Sequence, residues 1–430
     1  MKYREGGQAA FPLPKVKKKA RKRAQGDWRG MTHEAVDTTP VHGTGWSFRS
    51  AMYDPKYRSI FYQVLTIVVL VGFVWWVAHN TAVNLARSNT ASGFGFLRGR
   101  AGFEIGQSLV SFSSDSTYAR ALLVGILNTL LVAVTGIFTA TIIGFLIGIG
   151  RLSHNWLIAK LCTVYVEVFR NIPPLLVIFF WYLGVLSVLP QPRESVGLPF
   201  SMYLNNRGLA FPKPIFETGM IAVGIALLIA IVATIIIARW AHKRQAATGQ
   251  PFHTVWTAIG LIVGLPLLAF VVSGFPLTFD VPVAGKFNLT GGSVVGPEFM
   301  SLFLALSFYT ASFIAEIVRG GIRGVAKGQS EAAGALGLHP SSVTRLVVVP
   351  QALRIIIPPL TSQYLNLTKN SSLAIAIGFS DLVAVGGTIL NQSGQAIEIV
   401  CIWGIVYLSL SILTSLFMNW FNAKMALVER

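Results

Sequence analysis

Long apolar stretches recur eight times along the chain, separated by shorter polar ones. They cover roughly 60–78, 121–149, 161–189, 219–238, 255–273, 299–318, 355–378 and 399–421. An α-helix needs about 20 mostly apolar residues to cross a bilayer. The pattern therefore predicts an all-α membrane protein with about eight transmembrane helices. The sixth and seventh stretches are the least apolar of the set. The first begins too far along the chain to be a cleaved signal peptide.

Composition narrows the function classes. Of 430 residues 53% are hydrophobic and only 12% charged, about half the charge fraction of a soluble domain. A water-soluble enzyme and a nucleic-acid binder are both excluded on that ground. The two cysteines, Cys162 and Cys401, lie in apolar stretches and make no disulfide framework. The net charge of +18 is unevenly spread. With the N-terminus inside, 26 of the 35 Lys and Arg fall on cytoplasmic stretches, eight outside and one, Arg170, within a span. The positive-inside rule then places both termini in the cytoplasm.

The same reading divides the chain. Residues 1–59 form a basic cytoplasmic tail, expected to be disordered, with Lys15–Arg23 at its centre. That run is either an orientation signal or an attractor of anionic lipid head groups. The span 60–78 leads to an outer loop at 79–118, and two more spans lie between 191 and 297. A long inside loop, 319–350, follows the sixth span.

That loop carries the informative local pattern. Glu331, Ala332, Ala333, Ala335 and Leu336 favour a short helix, Gly337 suits its C-terminal cap, and Pro340 suits the first turn of the next one. The small residues leave one face flat, so a second protein can approach the backbone closely. Glu331 is expected to project a charge at the helix start. Gly320 and Gly321, after Glu316 and Arg319, are expected to loosen the preceding helix as a hinge.

The stretch resembles the EAA motif of ABC importer permeases. Glu331, Ala332, Ala333, Gly337 and Pro350 stand at that motif's spacing, with Val347 and Val349 in place of Ile and Leu. Ala315–Gly321, Lys327–Gln329, Pro350–Arg354, Pro358–Leu360, Lys369–Ala374 and Val166–Pro173 are similar in particular to the polar amino-acid (histidine/glutamine permease) branch. The resemblance covers about 119–190 and 298–428. The extra span at 60–78 and the insert 191–297 look like those of the eight-span general L-amino-acid importer permeases.

The resemblance implies a type I ABC importer permease core at 119–190 and 298–428. It implies a passive pathway, worked by ABC ATPase subunits that receive the Glu331–Gly337 helix. Further implied partners are a periplasmic amino-acid-binding protein and a second, homologous permease chain. No Gly-x4-Gly-Lys-Ser/Thr phosphate loop occurs in the sequence, so no cofactor is expected in this chain, with ATP and Mg held by the partner ATPase. No catalytic or metal-binding constellation is found, the seven histidines being scattered without ligand spacing.

Ionisable groups inside a span are costly and mark functional positions. Glu167 and Arg170, three apart on one helix face, are expected to neutralise each other in part. Pro173 and Pro174 should break that helix, and counting from Lys160 puts Arg170 about half-way across. Arg170 suits an α-carboxylate; alternatively, the pair only orients the kink. Lys369, Asn370, Ser371 and Ser372, counted from Pro358, also fall near the midplane. They either line the substrate path or bond helix to helix. Relatives often have Asp at the position of Asn370, so its neutral amide fits a broad preference. Asp381 and Glu398 are expected at the outer surface, and Trp75, Trp76, Trp181 and Tyr182 in interfacial belts. An ion-coupled secondary transporter and a membrane scaffold are the rival readings.

Overall fold

The computed structural model describes residues 55–87, 93–285 and 288–425, with the basic run Lys15–Arg23 outside them. The chain divides into two units, Met1–Asn84 and Leu85–Arg430. In the first unit, helix α1 (Pro55–Arg87) is apolar on all sides, and Phe61, Val69 and Trp75 are each more than 60% exposed. Such a helix is stable only where lipid or another apolar surface surrounds it.

In the second unit, α2 (Tyr118–Gly150) is followed by α3 (Trp156–Asn171) and α4 (Pro174–Phe179). A π-helical turn, Phe180–Leu186, continues α4. The axis bends by 111° between α3 and α4, where Pro173 and Pro174 interrupt the backbone ladder. The later helices are α5 (Met220–Thr248), α6 (Thr254–Val272), α7 (Pro297–Arg323), α8 (Lys327–Ala335), α9 (Pro340–Val343), α10 (Val349–Asn370), α11 (Leu382–Ser393) and α12 (Ala396–Met425). Among the described residues seven helices are long and apolar enough to cross a membrane, and eight if the bent α3–α4 pair is one span. They coincide with the eight stretches read from the sequence.

The seventh span departs from expectation at its start. Helical structure begins at Pro340 and runs to Ile377, so Pro358 and Pro359 lie inside α10 rather than at its head. Prolines are tolerated inside a membrane helix because neighbouring groups re-satisfy the freed carbonyls.

The core forms around α7. Helices α2 and α7 run parallel: a Cβ on Gly144 would lie 2.6 Å from Ile314, and one on Gly148 2.7 Å from the carbonyl of Ala315. These glycines let the two backbones close, the usual device where no hydrophobic effect drives helices together. Helix α10 runs the opposite way, with Leu367 against Gly136 and the Tyr364 hydroxyl 2.9 Å from Thr141. Leu302, Leu306, Ile314, Ile356, Ile357 and Leu367 fill the space between.

The insert contains strands as well as the two expected spans, a feature the apolar pattern did not reveal. Strands β1 (Val196–Leu198), β2 (Met202–Asn205), β3 (Gly208–Phe211) and β8 (Ser293–Val295) form one antiparallel sheet in that order. Two further pairs join β4 (Lys213–Phe216) with β5 (Leu277–Asp280) and β6 (Val283–Ala284) with β7 (Leu289–Thr290). The pairing Leu209↔Val295 carries the sheet to the start of α7. The core therefore has a sheet end, at the N-termini of α2 and α7, and a loop end, where α8 lies.

Candidate functional site

At the loop end α8 spans Lys327–Ala335, and Gly337 closes it in the left-handed region at φ 82°. Pro340 opens α9 as expected. Glu331 falls in the middle of α8 rather than at its start, because the helix begins four residues earlier. Ala333 turns inward at 5% exposure, while Glu331, Ala332 and Gly337 are exposed and Leu336 is 82% exposed. A Cβ added at Gly328 or Gly334 meets nothing within 4 Å. The outer face of α8 is thus flat, small-sided and open. A cavity of about 410 Å³ beside it is lined by Arg323, Lys327, Ser330, Glu331 and Val348.

Above α8 lies an ion cluster that joins three helices. Arg151, the residue after α2, donates to Glu316 of α7 and stands 3.7 Å from Glu167 of α3. Arg319 also donates to Glu316, and Arg170 approaches it at 4.0 Å while covering the Phe313 ring at 5.7 Å. Glu167 and Arg170 therefore pair across elements rather than with each other. A Cβ on Gly150 would touch Cys162 and Ile158, Arg151 reaches Glu167, and Phe169 lies 6.2 Å from Phe308, so α3 packs back along α2 and α7.

Gly320 and Gly321 stay helical within α7 and do not break it. Gly321 instead admits α10, for a Cβ there would lie 2.3 Å from Ile356. Trp181 departs from the belt expectation, whereas Tyr182 lies at the first turn of α7. The Trp181 ring stacks on Phe308 at 5.6 Å, and the Tyr182 hydroxyl donates to Glu298 at 3.4 Å.

Lys369–Ser372 sits where α10 tightens into a 3₁₀ segment, Ser371–Ile377. Leu367 faces Gly136, whereas Ala315 and Val318, flanking Glu316, face Gly148. The difference along α2 is twelve residues, roughly 18 Å. Leu367 and Glu316 therefore occupy different levels of the core. Ser371 is fully buried with its hydroxyl donating to Thr368, and the Ser372 hydroxyl donates to Lys369. Lys369 and Asn370 remain accessible.

Toward the sheet end, a second polar group ties the core together. The Asn128 amide donates to the carbonyls of Gln107 and Ser380, at 2.9 and 2.8 Å. Thr129 accepts from the Leu382 backbone, and Trp403 donates to its carbonyl. Asp381 caps α11 by accepting from Ala384 and is completely buried beside Tyr407, so it is not the surface charge expected. Burial pushes its carboxyl up to about 6. Glu398 accepts from the Gly93 backbone. Sequence reasoning passed over Arg151 and Asn128. Asn128 and Thr129 are the only polar residues between Ala121 and Val134, which was the available signal.

Residues 230–427 match the family described as binding-protein-dependent transport system inner membrane component. The chain is 97% identical over 400 residues to the general L-amino acid transport system permease protein AapQ of Rhizobium johnstonii, covering 93% of this chain and 100% of that protein. This chain belongs to that inner-membrane-component family. It is also 51% identical to the putative amino-acid ABC transporter permease protein YhdX of Escherichia coli, over 88% of this chain and 96% of the relative. The glutamate/glutamine/aspartate/asparagine transport system permease protein BztB of Rhodobacter capsulatus is 40% identical, over 90% and 98%. Permease membership accounts for α8: the exposed small-sided helix on a loop between spans is the family's EAA element.

Proposed function

We propose that this chain is the permease of an ATP-driven importer for polar and general L-amino acids in a bacterial inner membrane. The observation that carries the reading is the 97% identity to AapQ along that protein's entire length. The basic residues on alternate loops support cytoplasmic termini and a cytoplasmic α8. The sheet end then faces the periplasm, where a binding protein delivers substrate. A separate ATPase, holding ATP and Mg, receives α8 in the cytoplasm. A second permease chain, homologous to this one, completes the pathway.

The geometry supports a route for mechanical work. Helix α9, the π-helical Thr344–Val348, α10 and the 3₁₀ segment form one run of 38 residues, about 57 Å long. One end of this rod adjoins α8 and the other carries Lys369 and Asn370. Movement of α8 with the ATPase displaces the rod and with it the path residues. Arg170 and Glu167, at the loop end, then serve substrate exit, while Asn370 and Lys369 face substrate near mid-depth.

The test is uptake into vesicles holding this chain, its partner permease, the ATPase and the binding protein, assayed against a panel of radiolabelled amino acids. Uptake should require internal ATP and external binding protein. Concentration of any amino acid by vesicles without nucleotide overturns the reading.

A further inference from the structure

We propose that the insert builds an entry subsite for a zwitterionic amino acid at the sheet end, where Arg207 holds the α-carboxylate and Glu298 the α-ammonium group. The assignment rests on the amino-acid importer reading and gives residues 191–297 a part in it. A cavity of about 370 Å³ lies between the insert and the core, at the small end of the ligand-pocket range of about 300–1,000 Å³. Arg207 and Glu298 both line it. Among the described residues neither takes part in an ion pair; the Glu298 carboxylate accepts a hydrogen bond from the Tyr182 hydroxyl at 3.4 Å and has no cationic partner.

The site is built, not incidental. Arg207 stands at the tip of the β2–β3 hairpin, where the Asn205 side chain accepts its backbone N–H at 2.8 Å and donates to Ser195 at 2.9 Å. Gly208 follows at φ 115°, and a Cβ there would fall 2.0 Å from the Val295 carbonyl. The hairpin is thereby pinned on β8, three residues before Glu298. On the opposite side, Asn128 fixes the backbone of both Gln107 and Ser380, which form two further walls. Phe379, 3% exposed and packed against Phe299 at 6.0 Å, is the floor.

The ligand class follows from the chemistry. A guanidinium takes a carboxylate bidentately, and a carboxylate takes an ammonium group by charge-assisted hydrogen bonds. The two groups together match the part common to all α-amino acids. Val294, Pro297 and Phe379 offer apolar wall to the variable side chain. The cavity ends on Phe379, just past the 3₁₀ segment Ser371–Ile377 that follows Asn370.

The experiment uses the complete transporter in proteoliposomes, with uptake of a radiolabelled neutral amino acid and ATP hydrolysis measured against liganded binding protein. Arg207→Gln and Glu298→Gln should each lower amino acid carried per ATP by about tenfold. The half-saturating concentration of binding protein should not change, and Arg207→Lys, which keeps the charge but not the two-pronged fork, should recover only part of the loss. Copurification of the partner subunits serves as the assembly control. Unchanged transport per ATP in both variants overturns the subsite and leaves the importer reading standing. A loss matched by a proportionate rise in half-saturating binding protein overturns it too, making Arg207 a docking contact. If vesicles with the unmodified chain take up no amino acid, both readings fall together.

Discussion

Arg151, the residue that follows the longest apolar helix of the core, donates to Glu316 of α7 from a side chain only 8% exposed. Glu316 also accepts from Arg319, so a single carboxylate holds two helices and the Arg319 turn together. Removing its charge leaves a nearly buried guanidinium without its acceptor, the expensive half of a broken pair. Glu316→Gln should destabilise the detergent-solubilised protein by about 2 kcal/mol, since partial exposure of Glu316 screens the loss. Glu167→Gln, at 3.7 Å and largely exposed, should change stability by less than about 1 kcal/mol. Thermal unfolding of the two variants side by side checks the ranking.

Gly320 and Gly321 separate a packing role from a hinge role. A Cβ at Gly320 meets nothing, whereas one at Gly321 meets Ile356 and the Ala352 carbonyl. Gly320→Ala should stabilise α7 by about 0.5–1 kcal/mol through helix propensity. Gly321→Ala should destabilise by about 1–3 kcal/mol through overpacking, and Ile356→Ala in the same chain should restore much of that. Equal loss of transport in both single variants, with equal stability, would instead mark a hinge.

What the sequence made legible was local. Span number follows from the length of apolar runs, and the EAA turn from Gly337 and Pro340 three positions apart, each enforcing its own backbone geometry. The partners of Arg170 and Glu167 were not legible, because they depend on α3 packing against α2 and α7, which the contacts of Gly150 with Cys162 and of Phe169 with Phe308 reveal. The sheet was hidden for a similar reason: its strands have three or four residues, and Leu209 finds its partner Val295 only after two intervening spans. Asp381 read as an outer charge because the Thr129 and Tyr407 elements that enclose it lie far away in the chain. Of the residues assigned to the path, Asn370 and Lys369 are accessible, whereas Ser371 faces inward.

Asp381 gives the protein a definite pH dependence. Its carboxyl lies between spans and is raised to about 6 by burial, above the ordinary value of 3.8. The folded state therefore binds the proton more tightly than the unfolded one. Stability falls as pH rises from about 4 to 6 and is flat beyond. Asp381→Asn keeps an oxygen to cap α11 and removes the charge, so it should stabilise by roughly 3 kcal/mol at pH 7.5 and by little at pH 4. Melting curves at the two pH values decide this; a constant offset between variant and parent would mean that Asp381 titrates normally.

Glu331 and Leu336 present the opposite case, a surface whose loss should be silent until the partner is added. Both are exposed, Glu331 on α8 and Leu336 just after it, and Leu336 offers a large apolar side chain that no described residue covers. Glu331→Lys reverses a charge without touching the inward Ala333 or the Gly337 cap, so melting temperature and membrane insertion should not move. Copurification of the ATPase, or the coupling of its hydrolysis to uptake, should fall at least about tenfold, the loss of one charge-assisted contact and its replacement by repulsion. Leu336→Ser should weaken the same association without altering charge. Normal uptake by both variants would move the coupling surface away from α8 and leave the rod from Pro340 to Ile377 without its drive.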